Sequence, residues 1–471
     1  MITIAQFQNC FHACFGATTV KAPRRLAIAL SGGVDSMCLA YLLSQYKQVY
    51  EPSLELHSIT IDHGYRSDSE IEAQKVAQVV QNWGILPSVS RLKYSCNPAK
   101  ISNFEEVART MRYAEFERFC RGNNIEGLLV AHNLDDQIET FIQRLRQNSS
   151  IFGLAGLKRA TTLPVATNEP NERPIPLFRP LLQFPKSELI STCIANKIQW
   201  FEDSTNQDAN LTERNFWRSE LKKPDDESVI NRDQFLQTFL EVETVVNELR
   251  KKVKALKLHV FGTEECEYAR NGTLSFQIQY SVLSNLSAMV FSRFLFQILH
   301  PISASRDYHW MYAKLERHAV PRIMKHFVVS QNRVALRLTY LNILWNIERI
   351  EDTLHFHFER QPIPQNEYAH ISTSINPDGK STLFDNRFWI RLKIATKNKV
   401  SVEPYDPKRH KKIIRQAFPE LKKFSNLSKS LKLTPIVIAQ DIMAVPVLDK
   451  VKANIPADVE VQLKANLFTN S

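Results

Sequence analysis

The run Ser31-Gly32-Gly33-Val34-Asp35-Ser36 has the residue types of an anion cradle. Two glycines let backbone N–H groups approach a ligand closely, and two hydroxyls add donors. An apolar run, Leu26–Leu30, precedes it and a helical pattern, Met37–Tyr46, follows it. The first turn of that helix would aim its partial positive end at the same point. Ser31, Gly32, Gly33, Val34, Asp35 and Ser36 are therefore candidate phosphate-binding residues. The loop lacks the Gly-Lys-Ser/Thr ending of a Walker loop, so γ-phosphoryl transfer is not favoured. Asp35 is placed to hold Mg2+ against the phosphates.

A second constellation, Ala131-His132-Asn133-Leu134-Asp135-Asp136-Gln137-Ile138-Glu139-Thr140, closes the apolar run Gly127–Ala131. Glu139 lies four residues after Asp135 and three after Asp136, so the carboxylates share one helix face within a turn. Such a cluster suits Mg2+ or a cationic substrate; acids serving only the helix macrodipole would leave the same string. Arg109 and Arg112, three apart on another helical pattern, could face phosphates together or make ordinary surface salt bridges.

The loop resembles the signature of the PP-loop ATP pyrophosphatases, which split ATP between the α- and β-phosphates and adenylate a substrate oxygen. Ala131–Thr140 resembles the A-H-x-x-D-D-Q-x-E-T motif of the tRNA(Ile)-lysidine synthetases, with related forms in tRNA 2-thiocytidine enzymes. Glu106-Val107-Ala108-Arg109 with Arg112-Tyr113 resembles a further segment of that family. So do Phe152–Leu157 followed by Arg179-Pro180-Leu181-Leu182, and Glu202–Asn206 followed by Arg214-Asn215 and Arg218. In order, these strings span residues 24–220.

The resemblance implies a ligase forming a carbon–nitrogen bond, with ATP and Mg2+ as cofactors. Its partners would be a tRNA(Ile) with a CAU anticodon and free L-lysine. ATP would adenylate the wobble cytidine at its C2 oxygen, and the lysine ε-amine would displace AMP to leave lysidine. Ser31, Gly32, Gly33 and Ser36 would bind pyrophosphate; Asp35 and Asp136 would hold the metal. Asp62, His63 and Gly64, ending the second strand, would line the adenosine pocket. Asp135 and Glu139 would hold the charge of lysine, while Arg109 and Arg112 would meet a tRNA phosphate or developing negative charge. The amine needs a general base, which one of the carboxylates or His132 could supply. A tRNA thiolase is the alternative, but such enzymes need nucleophilic cysteines or an Fe–S site, and no CxxC pair occurs among the seven cysteines. A non-catalytic RNA-binding protein is a further alternative, opposed by the number of neighbouring acids retained.

These residues need elements to position them. Strand patterns at Leu26–Leu30, Leu54–Ile61, Leu86–Val89 and Gly127–Ala131 alternate with helical patterns at Met37–Tyr46, Asp68–Trp83, Asn103–Arg121 and Leu134–Arg146. This alternation argues for an α/β, doubly wound parallel sheet, whose ligands sit beyond the carboxyl ends of the strands. Thr161–Pro174 reads as a polar loop and Lys186–Lys197 as a helix. The charged stretch Lys222–Asp233 suggests a boundary, giving residues 1–221 as catalytic domain. Helices at Gln234–Leu258, Ser284–Phe296 and Tyr308–Lys325 make residues 222–326 a helical middle region. Strands expected at Val334–Ile347 and Leu354–Phe358 open a mixed C-terminal region, residues 327–471.

The net charge is +11 over 471 residues, and all of it lies in Asn386–Lys432, where fourteen basic residues face three acids. A balanced body with one basic segment is an electrostatic footprint for nucleic acid, here tRNA. A solvated helix face at Arg409–Lys423 would carry the same charge, and some of the interleaved aromatics must be core. No apolar run approaches the roughly 20 residues that span a bilayer. Scattered, odd-numbered cysteines suggest reduced thiols. The first 34 residues contain no Asp or Glu, which hints at an organelle transit peptide, although an ordinary helix over Ile4–Phe15 is an equal reading. Hence the mitochondrion is expected if the source is eukaryotic and the cytoplasm if it is bacterial; the oligomeric state is not legible.

Overall fold

Alternate residues of one short strand explain the first layer structure. In β1 (Arg25–Ala29), Leu26 and Ile28 point to one apolar core and Ala27 to another, and all three are fully buried. A strand buried on both faces needs helices above and below it. In the computed structural model, which describes residues 1–16, 23–62, 69–94, 104–165, 173–201, 231–264, 266–305, 312–328, 334–396, 398–439 and 442–464, it has both.

β1 pairs in parallel with β2 (Glu55–Asp62) and with β4 (Gly127–Leu129). β3 (Leu86–Arg91) extends the sheet beyond β2; β6 (Pro176–Phe178) extends it beyond β4, with β5 (Ala160–Thr162) as an antiparallel edge. The order is β3-β2-β1-β4-β6-β5. One face packs on α1 (Ile4–His12), α2 (Val34–Val49), α3 (Ser69–Gln81) and α7 (Lys186–Ala195). The other face meets α4 (Phe104–Gly122) through Tyr113, Phe116 and Cys120. α5 (Leu134–Arg146) and the short α6 (Ile151–Leu154) follow β4. The doubly wound expectation therefore holds.

One local expectation is corrected: Thr161–Pro174 is not loop throughout, because Thr161 and Thr162 pair with Leu177 and Pro176 in the β5–β6 ladder. The helix read over Ile4–Phe15 is present as α1, where Thr3 and Gln6 form a capping box and Phe7 and Phe11 are buried in the core. Arg214, Asn215, Arg218 and the Glu202–Asn206 string lie outside the described residues.

Met1–Ala166 and Arg173–Val246 form one compact unit, and Asn247–Ser471 is the body of a second. The helix Arg232–Phe261 contains the division. Within the second unit, β7 (Leu274–Gln279), β8 (Val334–Tyr340), β9 (Ile343–Ile350) and β10 (Thr353–Arg360) make an antiparallel sheet, β7-β10-β9-β8. The stretch Val334–Ile347 is thus a hairpin and not one strand. Leu341 and Asn342 turn it with φ of 61° and 59°, a two-residue turn that needs left-handed backbone at both positions. Leu-Asn carries no glycine to announce it. Likewise, the helix expected over Ser284–Phe296 is broken at Ser287, whose hydroxyl caps a new helix, Ala288–Leu299, by accepting from Val290 N–H at 3.3 Å.

The basic segment spans two further sheets and a helix, Pro407–Ala417, that Asp406 caps. Phe388, Trp389, Tyr405 and Phe418 are buried there, whereas Phe424 is 47% exposed beside Lys422 and Lys423. Among the described residues no helix is long and apolar enough to cross a membrane.

Candidate active site

The order of strands reverses at β1 and β4. Chains leaving neighbouring parallel strands toward opposite faces open a crevice at their carboxyl ends, the usual ligand position in such sheets. Ser31–Ser36 leaves β1 there, and His132–Glu139 leaves β4.

The loop is folded on itself. Ser31 N–H donates to Ser36 Oγ at 3.2 Å, the two hydroxyls are 3.1 Å apart, and Ser36 Oγ donates to the Gly33 carbonyl at 3.0 Å. Gly32 has φ +82°, and a Cβ there would lie 2.8 Å from Val76 Cγ2. Gly33 begins α2 with no side-chain cap. The first-turn N–H groups of a helix need partners, and an anion can supply them.

Asp35, in the first turn of α2, is mostly buried. Its Oδ2 meets Lys186 Nζ, from the start of α7, at 3.4 Å. Its Oδ1 is buried and has no hydrogen-bond partner. Burial pushes the Asp35 carboxyl above its ordinary value, the Lys186 ammonium opposes this, and the charge of Asp136 adds to it. Asn133 and Asp136 close a reciprocal capping box on α5: Asp136 N–H donates to Asn133 Oδ1 at 3.1 Å, and Asn133 N–H donates to Asp136 Oδ2 at 3.0 Å. Asp136 therefore caps the helix that it opens. Among the described residues no cluster of three or more His, Cys, Asp or Glu forms a metal cage. Two carboxylates with an orphaned oxygen fit a hard cation that takes its remaining ligands from phosphate and water, as Mg2+ does.

Glu139 is 2% exposed and accepts from Gln143 Nε2 at 3.4 Å. Asp135 stands half-buried one turn earlier on the same helix. His132 Nδ1 accepts from Arg179 Nε at 3.1 Å, so the neutral ring carries its proton on Nε2. Arg179 is 8% exposed and also donates to the Lys158 carbonyl and Thr161 Oγ1. Arg109 and Arg112 both lie over the ring of Tyr113, at 5.1 and 5.9 Å. Asp62 is buried at the end of β2 and pairs with Arg91 at 3.7 Å. It therefore stands one strand away from the β1–β4 crevice. His63 and Gly64 lie outside the described residues.

Sequence reasoning named Asn133, Gln137, Arg179 and Lys186 only within longer strings, and gave neither them nor Arg144 a role. Gln137 exchanges two hydrogen bonds with Leu157, at 2.8 and 2.6 Å, and Arg144 donates to the carbonyls of Gly153 and Gly156. Together they fasten the Phe152–Leu157 segment to α5. Gly156 has φ +67°, and a Cβ there would be 2.5 Å from Gln137 Oε1 and 2.8 Å from Phe239 Cε2. Gly156→Ala is expected to cost about 2–3 kcal/mol in denaturant unfolding, combining left-handed strain with a displaced hydrogen bond. Gly84→Ala, at φ +73° with open space around it, should lose only the backbone part, about 1 kcal/mol. Equal losses would show that the Gln137 clasp contributes nothing.

The PP-loop domain family matches residues 3–224. A probable tRNA(Ile)-lysidine synthase of Schizosaccharomyces pombe is 28% identical over 78% of this chain and 77% of its own length. Residues 3–224 are thus similar to PP-loop domains, and the chain is similar to proteins named tRNA(Ile)-lysidine synthase. That of Wolbachia pipientis wMel is 33% identical over 44% of this chain, and that of Rickettsia felis 30% identical over 57%. The chain spans 45% and 60% of the lengths of those two bacterial relatives. Among solved structures, the U34-tRNA thiolase NcsA from Methanococcus maripaludis, which holds a [4Fe-4S] cluster, is 16% identical with a TM-score of 0.39, covering 51% of this chain and 80% of that one.

Proposed function

We propose that this chain is a tRNA(Ile)-lysidine synthetase that uses ATP, Mg2+ and free L-lysine on a tRNA(Ile) with a CAU anticodon. The observation that carries it is the meeting, at the β1–β4 reversal, of an uncapped helix N-terminus with the acidic face of α5. The first feature suits pyrophosphate and the second suits a metal ion and an ammonium group.

The cytidine C2 oxygen attacks the α-phosphorus of ATP, and pyrophosphate leaves. Ser31, Gly32, Gly33, Val34 and Ser36 hold the departing pyrophosphate, with Lys186 beside them. Asp35 and Asp136 would hold Mg2+, which neutralises phosphate charge when bound. The lysine ε-nitrogen then attacks C2, and AMP departs with the former C2 oxygen. The amine must lose its proton to a base. His132 Nδ1 accepts from Arg179, so the base is one of the carboxylates, or His132 through its other ring nitrogen; Asp135 and Glu139 also bind the ammonium group. Arg109 and Arg112 are offered to RNA phosphate, and Asp62 with His63 and Gly64 to adenosine.

In this reading residues 1–221 catalyse, residues 222–326 connect and residues 327–471 hold tRNA. Phe424, exposed among lysines, suits stacking on an unpaired base. The compartment follows the source, the mitochondrion in a eukaryote and the cytoplasm in a bacterium. The test is incorporation of radiolabelled L-lysine into a CAU-anticodon tRNA(Ile) transcript by purified protein with ATP and Mg2+. ATP-dependent incorporation supports the assignment. AMP formation without lysine incorporation would keep adenylation and remove lysine as the nucleophile. Folded protein that cleaves no ATP would remove both.

A further inference from the structure

The phosphate loop is tied to a segment that has no part in the chemistry described above. α7 ends at Ala195, and Lys197, with φ 53°, turns the chain back. Lys197 N–H donates to the Ile194 carbonyl at 3.1 Å and Ile198 N–H to the Cys193 carbonyl at 2.9 Å, so residues leaving the helix close its last turn. Ile198 is buried, and Trp200 and Phe201 pack against the core that α2 and α3 share. This apolar anchorage brings Phe201 beside Gly32. There Phe201 N–H donates to the Gly32 carbonyl at 2.9 Å.

The bond fixes more than the carbonyl. Gly32 and Gly33 form the least restrained pair a chain can carry. The peptide between them can turn over with no side chain to obstruct it. One orientation offers a ligand an N–H; the other offers a carbonyl oxygen, which repels phosphate. A peptide unit is planar and trans, so its C=O and N–H point in opposite directions. With the Gly32 carbonyl turned to Phe201, the Gly33 N–H is turned away from it, to the side of Ser31 Oγ, to which it donates at 3.4 Å. A bond that long is readily exchanged for one to a phosphate oxygen. Gly32 is confined on a second side as well, since a Cβ there would lie 2.8 Å from Val76 Cγ2.

We propose that Phe201 is a positioning residue for pyrophosphate: its backbone N–H, through the Gly32 carbonyl, holds the Gly32–Gly33 peptide with its N–H toward the ligand. The inference rests on Ser31–Ser36 being the pyrophosphate site. Phe201 acts through its main chain, and its ring serves only to anchor the segment in the core.

The test uses the full chain with Phe201 replaced by its α-hydroxy analogue, 3-phenyllactic acid. The Trp200–Phe201 link becomes an ester, which keeps the ring and lacks the N–H. Phe201→Leu, which keeps the N–H, is the control. Binding of ATP, inorganic pyrophosphate and AMP is measured by equilibrium dialysis with Mg2+. The ester protein should bind ATP and pyrophosphate about three- to tenfold more weakly, the range of one net hydrogen bond. It should bind AMP, which lacks the pyrophosphate group, as the parent does, and Phe201→Leu should bind all three as the parent does. A structural role alone would reduce the fraction of protein able to bind and leave the affinity of that fraction unchanged. Parental affinity of the ester protein for ATP and pyrophosphate therefore overturns the proposal. Equal losses for AMP and ATP overturn it too, because the phosphate loop would not be the part affected. Amide hydrogen exchange on the parent gives a check that needs no variant to fold. The Phe201 N–H should be protected, and exchange at the free-peptide rate overturns the proposal. If the parent adds no lysine to tRNA yet the ester still weakens ATP binding, the positioning role is supported and the lysidine reading falls. A parent that binds neither ATP nor pyrophosphate removes both.

Discussion

Asp35→Asn should lower tRNA-dependent pyrophosphate release by about 10²–10³-fold, and the unliganded protein should be at least as stable as its parent. The first part follows from position. Asp35 stands inside the phosphate loop with a buried, unpartnered oxygen, and preorganised charge stabilisation of this kind is commonly worth that factor. The second part follows from electrostatics. Burial holds the Asp35 carboxyl above its ordinary value, with Asp136 adding to the effect. A raised carboxyl binds its proton more tightly in the folded state than in the unfolded one. Folding is then favoured by acid, and stability falls as pH rises from the unfolded value of about 3.9 through the raised folded value. At neutral pH the penalty is fully present, and asparagine lacks it. Loss of the Lys186 contact at 3.4 Å offsets little, since Lys186 is partly exposed. Thermal unfolding at pH 4.5 and 7.5, paired with a pyrophosphate-release assay, checks both parts. A variant that is less stable than its parent at pH 7.5 would mean that Asp35 is a structural residue first.

Glu139→Gln should separate the two half-reactions. Glu139 is 2% exposed, and removing one partner of a buried, hydrogen-bonded charge pair costs about 2–4 kcal/mol, roughly 30- to 1,000-fold. The loss should appear in KM for lysine. Pyrophosphate release should be nearly unchanged, because the phosphate loop is built by β1 and α2 and not by the second turn of α5. The neutral amide keeps the shape of the side chain and can still meet Gln143, so folding should survive. Loss of pyrophosphate release with lysine KM intact would move Glu139 to the ATP half of the site.

Much of the first unit was legible in the sequence. Leu26–Leu30 reads as a doubly buried strand because its residues are apolar on both faces, and Gly32-Gly33 marks where the backbone must turn. Leu134–Arg146 was readable to the residue from its helical pattern after Gly127–Ala131, although the Asn133–Asp136 cap that starts it was not read. What escaped were partnerships between residues far apart in the chain. Lys186 reads as the first residue of a helix and only folding brings it to Asp35, 151 positions away. Arg179 reads as part of a family string, and its grip on His132 depends on β6 lying beside β4. In the second unit, the hairpin at Leu341-Asn342 was missed because neither residue is glycine, although both take left-handed backbone. The middle helix was read as unbroken because Ser287 resembles an ordinary polar face until its hydroxyl is seen capping Val290.

The Asn133–Asp136 box has a consequence for how the site meets its ligands. One oxygen of Asp136 fastens the start of α5 before anything is bound. The carboxylate is thus oriented by the helix it belongs to, and its remaining oxygen has few rotamers left to lose. In the proposed reaction, an ion or ammonium group that met Asp136 would order little that is not already ordered, so more of its interaction energy would be retained as affinity. The same economy carries a constraint, because charge and local rigidity at residue 136 are inherited together. A chain under selection can adjust one only by disturbing the other.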